Sequence, residues 1–147
     1  TVEIGGDGEA TADALSSFGG VGRRFEHRGS ANGVTLVDDY AHLPTEVSAA
    51  LQAASSTEPE RLVVVFQPHR FSRTEQLWST FTDAFGAADV LIVTGIYSSG
   101  EAARPGIVGS LISDDVAAAH PDADVRFVDE LDDVVALLGR ELRSGDL

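Results

Sequence analysis

An uninterrupted apolar run, LVVVF at 62–66, a second that ends in threonine, VLIVT at 90–94, and a third mixed run, VRFV at 125–128, mark the second half of the chain. Strands that read as continuous apolar stretches are those covered on both faces, as in parallel sheets. Each run gives way to polar residues and then to apolar positions three and four apart. After 62–66 these are Leu77, Phe81, Ala84 and Phe85, after 90–94 Val108, Leu111, Ile112 and Val116, and after 125–128 Leu131, Val134, Val135, Leu138 and Leu142. That spacing predicts helices. Strands alternating with helices predict an α/β fold with a doubly wound, mainly parallel, Rossmann-like sheet and helices on both faces.

The first third has a different texture. RRFEHR and GVTLVD flank Ser30-Ala31-Asn32-Gly33, and Asn-Gly between strand-like runs predicts a β-hairpin leading into the sheet. Its second strand runs into VDDYAHLPTE at 37–46, after which Val47, Ala50, Leu51 and Ala54 predict a helix opened by Pro44. Upstream, EIGGDGE is glycine-rich and acidic, and Ala10, Ala14 and Phe18 predict a short helix ended by Gly19 and Gly20. GGDG lacks both a preceding apolar strand and the Lys-Ser/Thr of a phosphate loop. The expected division is a linker and helix over 1–20 and one α/β domain over 21–147.

A chain of 147 residues is about one domain long. It has no cysteine, which removes disulfide and thiolate chemistry and suits the cytoplasm. No apolar stretch is long enough to span a membrane and no export signal opens the chain. The formal net charge of −14 disfavours a nucleic-acid partner. All ten basic residues are arginine, so a P-loop lysine, a Schiff base and a lysine general base are excluded. Methionine is also absent, which suits a piece of something larger.

In doubly wound sheets the ligand crevice lies at the C-terminal ends of the strands. Three such ends carry unusual polar residues: Asp38, Asp39, Tyr40 and His42, then His69, Arg70 and Arg73, then the GIYSSGEAARPG loop at 95–106. Carboxylates at 38 and 39 suit ribose hydroxyls or a hydrated magnesium ion, and either also suits a cap. An arginine fork suits bidentate capture of phosphate or carboxylate, against the plainer alternative of a surface ion pair with Glu75. The spacing of Asp39, His42 and His69 matches no tight metal motif, so no metal site is expected. Neither Ser72 nor Ser98 stands in a nucleophile elbow, and His27 and His120 read as surface residues.

GVGRRFE, DDYAHLPTE, FQPHRFSRT and IYSSGEAARPG, in this order and spacing, closely resemble the C-terminal domain of the Mur ligases from Val21 to at least Gly106. The resemblance implies ATP-dependent amide formation in peptidoglycan synthesis, with a substrate carboxylate activated as an acyl phosphate and attacked by an amine. It is nearest to the branch that joins L-alanine to UDP-N-acetylmuramate. The branch that attaches a recovered tripeptide to the same sugar, and a non-catalytic nucleotide-binding module, are the alternatives. ATP and Mg2+ would be held mainly by a central domain absent from this chain, and residues 1–20 resemble the end of that domain. The implied partners are the N-terminal and central domains of the same parent, and this piece alone is expected to be inactive.

By the same resemblance, Asp39 and His42 would face ATP, with Asp39 at its ribose. His69, Arg70 and Arg73 would meet the amino-acid carboxylate and the reacting phosphate, and Tyr40, Tyr97 and Glu101 would bind substrate. Two departures stand out. The alanine branch usually shows His-His-Pro where this chain has His42-Leu43-Pro44, and the family continues into an apolar strand and glycine-rich loop where this chain reads SGDL. The expectation is therefore a domain short of its last strand.

Overall fold

The computed structural model describes residues 5, 7–17 and 21–147. Helix α1 (Gly8–Ser16) starts where the Asp7 carboxylate accepts from the Glu9 and Ala10 N–H groups, and almost all of its described positions are exposed. Phe18, Gly19 and Gly20, assigned above to the end of this helix, lie outside the described residues.

Strands β1 (Glu26–Ala31) and β2 (Val34–Asp38) form the expected antiparallel hairpin. Asn32 and Gly33 both have positive φ, at 54° and 79°, as a two-residue turn matched to strand twist requires. Gly33 is doubly constrained, because a Cβ there would overlap the Ser144 side chain. Helix α2 (Pro44–Ser55) follows with Pro44 as its first residue, where the missing N–H costs nothing. Val47, Leu51 and Ala54 form its buried face.

Strands β3 (Val63–Phe66), β4 (Val90–Val93) and β5 (Asp124–Phe127) form a parallel sheet with β4 in the middle. All four β4 residues are buried, and they alternate between two apolar clusters. Leu91 and Val93 pack with α2, with Phe66, Phe81 and Phe85, and with Ile112 and Val116 of α4 (Ser110–Ala119). Val90 and Ile92 pack on the opposite face against Val134, Leu137 and Leu138 of α5 (Leu131–Glu141). The sheet is thus parallel and covered on both faces, as its apolar runs predict.

Three sequence expectations need correction. The stripe from Leu77 to Phe85 is not one helix: α3 (Phe71–Leu77) gives way to a single 3-10 turn at Trp78–Thr80 and then to irregular turns. The hydroxyls of Thr80 and Thr82 donate to the carbonyls of Leu77 and Ser79, offering the backbone a route out of the helix. Phe81 and Phe85 are buried against Phe66 regardless, with ring centroids 5.2 Å from it. Val108 precedes α4 and is exposed, and in α5 Leu131 and Val135 are exposed while Val134 is buried. Finally, β3 is an edge strand of the three-stranded sheet, so Val65 keeps 41% of its surface.

What lies beside that edge is the C-terminal segment. Gly145 N–H donates to the Gly33 carbonyl and Thr35 N–H to the Asp146 carbonyl, while Leu147 N–H donates to Arg61 O and Val63 N–H to Leu147 O. The segment therefore bonds to the hairpin on one side and to the start of β3 on the other. Beyond Leu147 a cleft of about 170 Å3 separates β2 from β3, lined by Leu36, Val37, Val64 and Val65 among others. The whole junction is locked by Asp146, whose side chain is fully buried and accepts from Arg61 Nε at 2.9 Å, Arg61 Nη2 at 2.6 Å and the Arg143 N–H at 2.9 Å. The Arg61 guanidinium holds this carboxyl below its ordinary range.

Removing one partner of a buried, hydrogen-bonded ion pair is strongly destabilising. Asp146→Asn is expected to lower unfolding free energy by about 3 kcal/mol, read from the urea midpoint at neutral pH. Because the folded-state pKa is depressed, the stabilisation is complete above the unfolded value of 3.8 and is lost as pH falls through the folded one. The variant and wild type should therefore converge in acid, and parallel curves across pH would remove Asp146 from this role.

Candidate functional site

The three strand ends singled out by sequence converge. From the loop after β2, Tyr40 and His42 face His69 from the loop after β3 and Tyr97 from the loop after β4. The ring centroids of His69 lie 5.8 Å from Tyr40, 6.2 Å from His42 and 5.4 Å from Tyr97. These four line a cavity of about 530 Å3, together with Arg23 and Asp39 among others. Arg23 has no role in the sequence reading beyond its place in GVGRRFE. Its guanidinium stands 4.8 Å over the Tyr40 ring and 3.5 Å from Asp38.

The loops are held by backbone pairing that continues past the strands. His69 and Tyr97 form a parallel bridge, with Tyr97 N–H donating to Pro68 O at 2.9 Å and Arg70 N–H to Tyr97 O at 2.8 Å. Arg70 then takes φ 75° and ψ 135°, a costly conformation for a residue with a Cβ, and helix α3 starts immediately after it.

Each predicted site residue has a defined setting. Asp39 accepts from the Phe25 N–H and the Ala41 N–H, both at 2.7 Å, so both its oxygens are engaged in tying the hairpin to its exit loop. Neither Asp38 nor Asp39 caps α2. Leu43 stands at the cap position, and the Glu46 carboxylate accepts from the His42 and Leu43 N–H groups at 3.0 and 3.2 Å. His42 Nδ1 lies 2.9 Å from the Tyr40 carbonyl; a carbonyl only accepts, so Nδ1 carries a proton.

His69 has the opposite tautomer. Arg73 Nη1, which can only donate, lies 3.1 Å from His69 Nδ1 and also donates to the His69 carbonyl at 3.2 Å, so the ring proton sits on Nε2, towards the Tyr40 hydroxyl. Burial above all, then the positive charges of Arg73 and Arg70, hold His69 below its ordinary pKa of 6.5. It is a neutral imidazole whose second nitrogen is already occupied. Arg70 and Arg73 enter no ion pair among the described residues; Glu75, the acid expected to compete for them, pairs with Arg104. Glu101 binds Ser72 through both oxygens, its Oε2 accepting from the N–H at 2.9 Å and its Oε1 from the hydroxyl at 2.6 Å. Ser72's part was invisible in the sequence, since nothing in its neighbourhood marks a partner 29 residues away.

The site is therefore a half-open wall: aromatic and imidazole faces, the Arg73 guanidinium against His69, and the Asp39 carboxylate turned inward onto backbone. Such a surface suits a planar or anionic ligand. Among the described residues no three His, Asp or Glu side chains gather as a metal cage, and no helix is long and apolar enough to cross a membrane.

The pattern of the Mur ligase glutamate ligase domain matches residues 23–147. The chain is 48% identical over 139 residues to a UDP-N-acetylmuramate–L-alanine ligase of Myxococcus xanthus, covering 95% of this chain and 29% of that protein. It is 44% identical over 147 residues to the ligase of the same name from Nitratidesulfovibrio vulgaris, covering 99% of this chain and 32% of that one. The crystal structure of a UDP-N-acetylmuramate-alanine ligase from Thermotoga maritima superposes with a TM-score of 0.76 at 29% identity, over 99% of this chain and 30% of that one. The chain thus spans about three tenths of the length of the relatives it matches. Fold, motif order and the match over 23–147 together make this chain a member of the Mur ligase family, carrying its glutamate ligase domain.

Proposed function

We propose that this chain is the C-terminal, amino-acid-binding domain of a UDP-N-acetylmuramate:L-alanine ligase, working in the cytoplasm in peptidoglycan synthesis. The observation that carries the reading is the pair Arg70 and Arg73, which enter no ion pair among the described residues of a chain of net charge −14, with Arg73 bonded to His69 of the aromatic wall. The identity to ligases of that name over nearly the whole chain supports it. ATP would supply the phosphoryl group that activates the sugar's carboxylate, with Mg2+ held mainly by the central domain. This chain's residues would then bind and orient. Arg73, aligned by His69, and Arg70 would attract the amino-acid carboxylate and the reacting phosphate, where fixed positive charge favours a developing anion. Tyr40, His42 and Tyr97 would face nucleotide and amino acid, and Asp39 would hold the nucleotide-facing loop, with any ribose contact sharing its engaged oxygens.

Residues 1–20 would be the trailing end of the central domain and 21–147 the closing domain, with the cleft beside β3 receiving a further strand in the parent. This chain alone would carry out no ligation, because it supplies no lysine for phosphate binding.

The direct test is amide formation by the full-length parent with UDP-N-acetylmuramate and ATP, offering L-alanine or the recycled tripeptide. Use of L-alanine is expected, and exclusive use of tripeptide would overturn the assignment. In that enzyme Arg73→Ala should lower kcat/KM by about 10²-fold or more with little change in melting temperature, since it removes charge stabilisation from the reacting centre.

His69 gives a pH signature. Its folded-state pKa is depressed, so its contribution to stability is present above the ordinary value of 6.5 and declines as pH falls towards the folded value. Protonated His69 cannot accept from Arg73, so activity should decline as pH falls through the folded value, below 6.5. Imidazole NMR should place the His69 titration below 6.5, and Arg73→Ala should move it upwards; a downward shift would contradict the contact.

A further inference from the structure

Helix α3 begins under unusual constraints. Its cap residue, Arg70, has no side-chain cap and holds φ 75°, and the exposed N–H groups of the first turn require partners from elsewhere. One partner comes from the loop after β4. There Ser99 and Gly100 take consecutive positive φ values of 51° and 84°, a reversal that returns Glu101 towards α3. Glu101 N–H donates to Ser98 O at 3.1 Å, closing the turn, and its carboxylate takes the backbone and hydroxyl protons of Ser72 together. Ser72 lies between the two arginines. With the Tyr97 carbonyl holding the Arg70 N–H, the loop after β4 grips the strained turn from both sides.

We propose that Glu101 is a positioning residue that sets the Arg70 turn, and thereby the placement of Arg70 and Arg73, without itself touching substrate. Both its oxygens are spent on Ser72, so it has a support role where the resemblance suggests a pocket role. The strained φ at Arg70 persists because Glu101 and Tyr97 over-determine it. Release of the carboxylate frees the first turn of α3 to relax and swings the guanidinium groups off the site. The proposal rests on the ligase reading above for its kinetic readout.

The test is steady-state kinetics of the full-length parent carrying Glu101→Ala, Glu101→Gln or Ser72→Ala, with L-alanine and ATP varied separately. Displacing a binding group by about 1 Å can cost on the order of 10²-fold. Glu101→Ala should therefore raise the KM for L-alanine by about tenfold or more, with the KM for ATP nearly unchanged. Glu101→Gln keeps one acceptor and should restore part of the loss. Ser72→Ala keeps the backbone N–H and should lose less than Glu101→Ala, and the double variant should be no worse than Glu101→Ala alone. Proportional changes in every parameter that follow the folded fraction, or additive effects of the two single variants, would overturn the proposal. A wild-type parent that does not ligate L-alanine would instead overturn the functional reading. In that case the crystal structure of the Glu101→Ala parent still decides the positioning role, through whether φ of Arg70 stays near 75°.

Discussion

Everything at this site depends on the β3–β4 ladder continuing past the ends of its strands. Pro68 cannot donate, yet its carbonyl receives the Tyr97 N–H, and the Tyr97 carbonyl receives the Arg70 N–H one step further on. A rigid parallel register, set by a fully buried β4, is thereby carried into loops that would otherwise be free. The gain is precision: His69 and Tyr97 sit opposite each other as ladder neighbours. The cost is local, since the chain must turn sharply at Arg70 to start α3, and this places a non-glycine residue at positive φ.

A second knot ties the hairpin to the same region. Asp39 joins Phe25, just before β1, to Ala41, just past β2, and Phe25 itself has positive φ at 46°. A carboxylate accepting two backbone protons at 2.7 Å is a strong local clamp. It explains how a short antiparallel pair outside the main sheet presents Tyr40 and His42 at a defined distance from His69. Arg23 above Tyr40 closes the wall from the hairpin side.

Legibility in the sequence followed the physics of each element. Uninterrupted apolar strands, the Asn32-Gly33 turn and Pro44 at a helix start are local signals, and all three appear as read. The Leu77–Phe85 stripe misled because burial by an aromatic cluster produces the same spacing as a helix, while the Thr80 and Thr82 hydroxyls competed for backbone carbonyls. Of the site, the residue types at the strand ends were visible, and so was their convergence, which follows from topology. Their pairings were not. That Glu101 reaches Ser72, that Arg73 fixes the His69 tautomer, and that Glu75 turns to Arg104 are long-range choices among many acids and arginines, and only coordinates select among them.

The same distinction clarifies Leu43. The start of α2 is held by Pro44 and by Glu46, which accepts from the backbone at 42 and 43, so the side chain at 43 contributes no hydrogen bond to the helix. A residue without a polar atom is tolerated at a cap position when a neighbour satisfies the N–H groups. Leucine at 43 is therefore compatible with an intact helix start, because Pro44 and Glu46 hold it. His42 has its Nδ1 proton committed to Tyr40 O, and His69 has its Nδ1 lone pair committed to Arg73. The His69 Nε2 proton is in turn directed at the Tyr40 hydroxyl, so both imidazoles are held by neighbours in the wall, and a ligand there meets rings whose orientation is already fixed.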